Sequence, residues 1–352
     1  MIGANRPRTL IASARRVTLD RIQKVGKPWQ DALWDIYRNL GPVHYGMGFK
    51  RSAAQRVNYF AAEMTEETDE PIPTEDERVI EAVKRLGDLG EIVGNFVIQE
   101  NVAGEGYLYG KDAAEEQVDD EEWEVLSTIE VKERQGSGKN EITPEDYLLR
   151  IWYADPEHRD DPDSPLQSVS AQCEQLLLLN DQIGATARSR VPAGLLLLPD
   201  ELSFPLPAED APDTGANADN DPFMGEIIEI ITTAIADADS AARVAPNVIR
   251  GPAELLKEVR MIDFARDMDE VFANMREELL RQIAGGINLP AEILTGLADL
   301  NHWSLWGVDE STAKHHVDPD VLHILSGLTK GYLWPALEED GMSRDEARRF
   351  II

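Results

Sequence analysis

The sequence predicts an α+β fold that is mostly helical and contains one small antiparallel sheet. Two observations support this prediction. In most of the chain, apolar residues recur at the three-to-four-residue spacing of amphipathic helices. Between residues 95 and 153 the pattern changes to β-rich runs, which are separated by acidic or glycine-containing turns. A helix over residues 75–89 is expected to pack on this sheet, and the two would form one α+β domain.

The first part of the chain predicts a basic arm followed by helices. Residues 1–27 are rich in arginine and weakly patterned, so we expect an arm that orders only on assembly. Residues 29–40 place apolar side chains at helical spacing, and Gly41-Pro42 stops this helix. After the 75–89 helix, the predicted strands follow in three runs, at 95–110, 122–133 and 147–155.

The second half predicts two long helices with a smaller module between them. Ser164-Pro165 suits the start of a helix that runs to about Ser189. Asp263 begins another helix, which ends at Gly285-Gly286 and spans about 33 Å if it has about 22 residues. The module between them predicts a strand at 194–198, an acidic loop at 200–222, a helix at 222–237, and a strand, a turn and a second short strand or helix within 247–262. A short helix after Pro290 and a helix pair over 311–337 complete the pattern.

The composition is that of a globular chain with an unusual charge. The 352 residues are 42% hydrophobic, and no apolar run approaches the roughly 18 residues of a membrane span, so we expect no membrane partner and no signal peptide. The net charge is −32, yet residues 1–60 carry 11 basic and three acidic side chains. The acidic remainder would repel nucleic acid. This charge serves either solubility or the passage of a polyanion that must not bind.

The sequence offers no catalytic constellation. It contains no Walker-type Gly-Lys-Ser/Thr and no Gly-x-Ser-x-Gly, and Gly104-Glu105-Gly106 lacks the third glycine of a dinucleotide loop. The single cysteine, Cys173, excludes an intramolecular disulfide, and its apolar helical context predicts a buried structural thiol rather than a nucleophile. No cofactor is therefore expected.

One cluster leaves an alternative open, a metal-dependent hydrolase. A metal site needs two or three ligands that converge, for example at i, i+4 spacing on a helix. His315 and His316 are adjacent and would point about 100° apart on a helix, so surface or interface histidines are favoured. The candidate ligands are His302, His315, His316, His323, Asp309, Asp318 and Asp320.

The loop at 296–308, GLADLNHWSLWGV, carries two tryptophans between glycines. Trp303 and Trp306 are more typical of side chains buried against neighbouring helices than of side chains offered to a ligand. A loop of this kind between two helices also suits a channel lining, where stacking or steric contact with DNA needs no base specificity.

A series of segments, taken in order, points to one family. The segments are WDIYRNLGPVHYGM, VAGEGYLYG, EWEVLSTIEV, RIWYADPEHRDDPDSPLQSV, SRVPAGLLLLPDEL, EELLRQIAGGINLPAEILTG and NHWSLWGVDESTAKHH. Together they cover about residues 29–340, and the chain resembles the portal proteins of tailed double-stranded-DNA bacteriophages, particularly siphoviruses of actinobacteria. No single motif is diagnostic, but the series in order is fairly specific.

The resemblance implies a portal fold with a wing, stem helices and a clip, in which the small antiparallel sheet belongs to the wing. We expect the family's C-terminal crown to be missing. Carried onto this chain, the resemblance gives a basic N-terminal arm at 1–28, the wing at 29–163, stem helix 1 at 164–190, the clip at 191–260, stem helix 2 at 261–286, the tunnel loop at 287–312, and wing- or crown-directed helices at 313–352.

The resemblance also implies a non-enzymatic function, that of a head-to-tail connector at one capsid vertex whose channel serves genome packaging and ejection. The implied partners are further copies of the chain in a dodecameric ring, the terminase large subunit, the major capsid protein and scaffold, a head–tail adaptor, and double-stranded DNA passing non-specifically. The subunit would be assembled in the host cytoplasm and located in the virion. The tunnel-loop candidates are Asn301, His302, Trp303, Ser304 and Trp306, and the ring-packing stem candidates are Phe264, Met268, Phe272, Met275 and Leu279.

Overall fold

The computed structural model describes residues 13–17, 26–65, 68–111, 123–134, 141–188, 194–197, 260–263, 269–295 and 310–352. The chain divides into two units, Met1–Glu174 with Glu278–Ile352, and Gln175–Glu277. Several predictions lie outside the described residues. They are the start of the basic arm, the acidic loop and helix of the clip module, the stem candidates Phe264 and Met268, and all five tunnel-loop candidates.

The elements described first extend from strand β1 to the short helix that follows the second long helix. They are β1 (Ser13–Arg16), α1 (Pro28–Asn39), α2 (Gly41–Gln55), β2 (Ala62–Thr65), β3 (Thr68–Pro73), α3 (Glu77–Lys84), α4 (Leu89–Ala103), β4 (Glu105–Gly110), β5 (Trp123–Leu126), α5 (Thr128–Glu133), β6 (Tyr147–Trp152), α6 (Pro165–Ser168), α7 (Ser170–Arg188), β7 (Gly194–Leu197), β8 (Arg260–Asp263), α8 (Asp269–Gly286) and α9 (Ala291–Thr295).

The C-terminal part is one helical run over 310–339 followed by a short helix and strand. Two π-helical turns interrupt the run. Its named parts are π1 (Ala313–Val317), α10 (Asp318–Leu328), π2 (Thr329–Leu333) and α11 (Trp334–Glu339), and then come α12 (Arg344–Ala347) and β9 (Phe350–Ile351).

The predicted small antiparallel sheet is confirmed. It has four strands in the order β1-β6-β4-β5, and all three pairings are antiparallel. A second sheet joins the β2–β3 hairpin to β9 near the end of the chain, and β7 pairs antiparallel with β8 in the other unit. The main core of the first unit lies where the four-stranded sheet, α4 and the C-terminal run meet, and Phe96, Ile151 and Ile324 are fully buried there.

The prediction of a strand from residue 95 was wrong, because 95–103 belong to helix α4. This helix buries side chains on every face, so its sequence shows no helical period. Its ends are nevertheless ordinary. The Asp88 carboxylate caps the start by accepting from the Glu91 N–H, and Gly104 ends the helix with φ 75°. A Cβ on Gly104 would lie 2.4 Å from the Asp163 carbonyl oxygen, so this turn requires glycine.

The run at 122–133 was also predicted as β and is only half strand. The strand β5 ends at Leu126, and helix α5 follows at once. Ser127 and Glu130 form a capping box, in which each side chain accepts a hydrogen bond from the other's backbone N–H. This Ser-x-x-Glu spacing marks a helix start.

Part of the basic arm is ordered within the single chain, contrary to the prediction for 1–27. Residues 13–16 form β1, which pairs with β6 from Ser13 opposite Trp152 to Arg16 opposite Leu149. Arg15 also forms an ion pair with Asp160. The arm therefore supplies an edge strand to the sheet without needing a partner.

The second long helix does not begin at Asp263, because 260–263 form the strand β8. Similarly, the helix pair predicted over 311–337 is one run whose two π turns each precede a proline. Pro319 and Pro335 have no N–H to donate to the carbonyl four residues earlier, and their rings crowd that carbonyl, so the backbone widens there. The carbonyl of Gly331, four residues before Pro335, instead accepts from the Tyr147 hydroxyl.

Candidate functional site flanking residues 296–309

The described residues on either side of 296–309 pack on helix α2. We call this buried cluster the base, and it consists of residues 284–294 and 316–323 with Gly46 and Lys50 of α2. Its first part is the end of helix α8. Asn288 takes the left-handed conformation with φ 55°, and the Leu289 N–H donates to the Ala284 carbonyl at 2.8 Å. These contacts, with the Asn288 N–H bond to the Gly285 carbonyl, form a Schellman cap. The α-helix itself runs to Gly286, and the left-handed residue is an asparagine rather than one of the two glycines.

Gly286 is needed for a different reason, the close approach of α8 to Val169. A Cβ added at Gly286 would lie 2.0 Å from the Val169 Cγ1 atom, whereas one added at Gly285 would meet nothing within 4 Å. Two adjacent glycines in the sequence thus have different environments, and only Gly286 is enclosed by the packing.

Helix α2 provides the seat for this turn. A Cβ on Gly46 would lie 3.0–3.1 Å from side-chain atoms of Leu289, Ile287 and Leu294, so the turn after α8 rests directly on the α2 backbone. Ile287 and Leu289 are buried. One helical turn further along α2, Lys50 reaches the C-terminal run. Both sides of the base are therefore anchored on one helix.

Lys50 is completely buried and forms an ion pair with Asp320 of α10. Its Nζ atom donates to Asp320 Oδ2 at 3.0 Å and to Asn101 Oδ1 at 2.9 Å. Asp320 also accepts from Asn101 Nδ2 and from the Tyr153 hydroxyl, both at 2.9 Å. The carboxylate thus has three donors, which is the condition under which a buried charge pair is tolerated.

A second buried pair lies one turn further along α10. His323 Nδ1 lies 3.1 Å from Glu100 Oε2, and the imidazole stacks on the Tyr153 ring with centroids 4.2 Å apart. Glu100 is fully buried, and this burial raises its pKa, while His323 lowers it and Asp320 raises it further. Tyr153 connects the two pairs, because its hydroxyl donates to Asp320 while its ring contacts His323.

The two sides of the base are also joined directly by His316 of π1. Its Nδ1 atom lies 2.9 Å from Asn288 Oδ1. Burial and the nearby Lys50 ammonium lower the pKa of His316, which favours a neutral ring at physiological pH. The neutral ring fits a contact in which Nδ1–H donates to the amide oxygen.

The described stem candidates fall into two groups. Phe272 and Leu279 are buried within the chain, at 8% exposure each. Met275 is 48% exposed, and Val271, one turn earlier on the same face, is 43% exposed. On α7, Leu178 is 68% exposed. Among the described side chains of α7 and α8, the exposed large apolar residues are therefore Leu178, Val271 and Met275, of which only Met275 was a ring-packing candidate.

The described histidine and aspartate residues of the hydrolase alternative do not converge on a metal site. Asp320 contacts Lys50, and His323 contacts Glu100, while His302 and Asp309 lie outside the described residues. Within the described ranges there is no group of three or more His, Cys, Asp or Glu side chains placed to hold a metal ion.

Cys173 is buried and free, as predicted. Burial raises the pKa of its thiol to about 12, with a smaller contribution from Glu174, so the nucleophilic thiolate is disfavoured.

No helix among the described residues is long and apolar enough to cross a membrane.

The sequence analysis missed Lys50, Glu100, Asn101 and Tyr153. One signal was present, because Glu100 and Asn101 belong to a run of three polar residues, Gln99 to Asn101, within a mostly apolar helix that buries both of them. Such residues are often partners in a buried network. Lys50, which donates to Asn101, is 270 residues from its ion-pair partner Asp320, a separation that no local pattern reveals.

The fold is similar to that of chains from gene transfer agent (GTA) particles. One is in the neck of an empty GTA particle, computed with C6 symmetry, with a TM-score of 0.53 and 15% identity over 93% of this chain and 89% of the other. A chain in the virion of a native GTA particle matches over the same shares at TM-score 0.51 and 15% identity. A third, from the neck of a native particle computed with C12 symmetry, matches over 95% and 94% at TM-score 0.51 and 15% identity.

Neither a scan against protein-family models nor a search of curated proteins found a match. At 15% identity the structural likeness establishes the fold. It extends over 93–95% of this chain.

Proposed function

We propose that this chain is a portal-type subunit, which forms a ring in a virion and serves there as head-to-tail connector and DNA channel. The observation that carries the proposal is the fold similarity over 93–95% of the chain to chains of GTA particle necks and virions. One of those necks was computed with C12 symmetry, which agrees with the dodecamer that the sequence resemblance implies. The same role makes the subunit non-enzymatic and places it at one capsid vertex after assembly in the host cytoplasm.

The proposed parts follow the order of the described elements. Residues 29–163 would be the wing, because they contain α1–α5 and three strands of the main sheet. Residues 164–190 would be stem helix 1. The clip would extend from 191 to Asp263 rather than to residue 260, since β8 pairs with β7. Stem helix 2 would then be α8, preceded by the short segment 264–268.

The exposed apolar positions on the stem helices support ring formation. Val271 and Met275 form a stripe one helical turn long, and Leu178 is more exposed than either. A single soluble chain gains nothing by exposing these side chains to water, whereas a neighbouring copy would bury them. Because Phe272 and Leu279 are already buried, the contact between copies would rely on Met275 and its neighbour Val271.

The packing of the base supports the proposal that residues 287–312 are the tunnel loop. In this proposal, residues 296–309 would project into the channel, with Asn301, His302, Trp303, Ser304 and Trp306 as the side chains nearest DNA. Gly46 and Lys50 would fix both ends of the loop to α2, so that a force on the loop reaches a rigid core. The strongly acidic body would keep DNA moving, because tight binding requires basic contacts to phosphates.

The proposed partners follow from this role. The subunit would bind further copies of itself, the terminase large subunit, the major capsid protein and scaffold, and a head–tail adaptor. Double-stranded DNA would pass without sequence-specific contacts. The basic residues of the arm beyond β1 would face an acidic capsid or scaffold surface, or DNA in the head.

Electron microscopy of the purified chain in negative stain tests the proposal. Closed rings with a central channel are expected. Stoichiometric bound metal that is lost in His316→Ala, together with the absence of rings, would instead favour the hydrolase.

A further inference from the structure

The buried pairs at the base do not balance in charge unless a proton is added. Lys50 and Asp320 form one neutral pair. Glu100 is fully buried, and in the described part of the chain its side chain has one hydrogen-bonding partner, His323. If Glu100 were ionised and His323 neutral, a net negative charge would remain in the core, and burial makes such a charge costly.

We propose that Glu100 and His323 share one proton in the folded protein across the neutral pH range, and that this proton makes the contact between α4 and α10 a pH-sensitive clamp. The geometry fits either arrangement, a carboxylate with an imidazolium or a carboxylic acid with a neutral ring. His323 Nδ1 lies 3.1–3.2 Å from both oxygens of Glu100. The clamp concerns the single chain and does not depend on ring formation.

Charged and titratable groups of neighbouring elements lie close to this pair. Helix α2 brings Lys50, the segment after β6 brings Tyr153, and α10 itself brings Asp320. His316 of π1 lies near Lys50, whose charge lowers its pKa. Burial and, less strongly, Asp320 raise the pKa of Glu100, whereas His323 lowers it. Burial, Glu100 and Asp320 raise the pKa of Tyr153 far above its usual value, so Tyr153 stays a neutral donor. The Lys50 ammonium already donates to Asp320 and Asn101. His323 is therefore the group that shares the proton with Glu100.

The sign of the pH effect follows from the unfolded chain, where glutamate titrates at about 4.3 and histidine at about 6.5. Between these values the unfolded chain holds one proton on the pair, as the folded protein does, so the pair adds no pH dependence. Above about pH 6.5 the unfolded chain holds none. Folding then takes up one proton, and the unfolding constant rises about tenfold per pH unit until the folded pair releases its proton.

Two variants give different profiles from the wild type. Glu100→Gln removes the need for the proton, so stability is expected to be flat above about pH 6.5 and to fall below it, where the unfolded histidine becomes charged. His323→Gln leaves a buried carboxyl that must bind the proton itself. Its loss of stability is expected to begin near pH 4.3 instead of near 6.5. Glu91→Gln, which removes an exposed carboxylate from the same helix, is the control and should follow the wild type.

Urea unfolding of the full chain, followed by tryptophan fluorescence from pH 4 to 8.5 at one protein concentration, measures these profiles. Subtraction of the wild-type curve removes contributions that all variants share. A Glu100→Gln curve parallel to the wild type overturns the proposal. If Glu100→Gln does not fold, His323→Gln decides, and an onset that stays near pH 6.5 overturns it.

Discussion

Helices α4 and α8 are both long, but they differ in how far their apolar side chains are buried. Helix α4 buries residues on every face, with Phe96 and Val97 at 0% exposure, and it supplies Glu100 and Asn101 to the buried network. Helix α8 buries Phe272 but leaves Val271 and Met275 nearly half exposed. The first helix is buried by its own chain, whereas the second leaves apolar side chains exposed among the described residues.

This difference separates two kinds of effect. Changes around α4 and the base should act on the stability of the single chain, because charges and close contacts are enclosed there. Changes on the exposed stripe of α8 should leave the single chain almost unaffected and act on association. Four substitutions test this division, each with a matched control, and they follow in order of expected loss of stability.

Lys50→Met should have the largest effect, a loss of about 3–5 kcal/mol in the free energy of unfolding. The substitution keeps the aliphatic stem but leaves the Asp320 carboxylate buried without its cation. Lys84→Met, which removes an exposed ammonium, should cost less than about 0.5 kcal/mol. Urea denaturation measures both. A loss for Lys50→Met no larger than that of the control would show that the buried pair does not hold the C-terminal run in place.

Gly286→Ala should cost about 1–3 kcal/mol, because the new Cβ would overlap Val169. Gly285→Ala is the control on the neighbouring residue. Open space surrounds that position, so alanine should be neutral or should stabilise the helix by up to about 1 kcal/mol. The midpoint of thermal unfolding should therefore fall in Gly286→Ala and stay the same or rise in Gly285→Ala. Equal shifts would mean that α8 does not approach Val169 as closely as the structure shows.

Asn288→Ala should cost about 1 kcal/mol more than Asn288→Gly. Both variants lose the contact with His316, but only alanine is strained at φ 55°. The difference between the two variants isolates the backbone requirement, and the loss in the glycine variant bounds the value of the His316 contact. Equal denaturation midpoints would argue against the left-handed cap.

Met275→Glu should change the free energy of unfolding of the single chain by less than about 0.5 kcal/mol, because the side chain is already half exposed. It should nevertheless prevent assembly, since a charge would enter the apolar contact. Asn274→Glu adds the same charge at the adjacent exposed residue and should assemble normally. Assembly of both variants to the same extent would remove the stripe from the interface.

Local signals predicted the elements whose ends or periods are regular. The helix beginning at Pro28 and the strands at 105–110 and 147–152 follow such signals. A helix does begin at Pro165, but it ends at Ser168, and α7 begins at Ser170 instead of continuing the predicted single helix. Helix α4 was missed because a helix buried on all sides has no period, and its β-branched residues are also typical of strands. Helix α4 is marked instead by its caps at Asp88 and Gly104, and helix α5 by the Ser127–Glu130 capping box.

The candidate site depended on contacts that no local pattern contains. The pairing of β1 with β6 joins residues more than 130 positions apart, and the Lys50–Asp320 pair joins residues 270 apart. The resemblance to portal proteins implied the order of wing, stem helices, clip and tunnel loop along the chain. It could not show that α2 holds both sides of the base, or that Met275 is exposed while Phe272 and Leu279 are buried.

The mass of the assembled species tests the central claim most directly, namely that the α8 stripe is covered by a neighbouring copy. Native mass spectrometry or mass photometry of the wild-type chain should give a closed oligomer of about twelve subunits, and Met275→Glu should give the folded single chain. The account would be contradicted by a wild-type chain that stays monomeric at high concentration and in the presence of the proposed capsid partners.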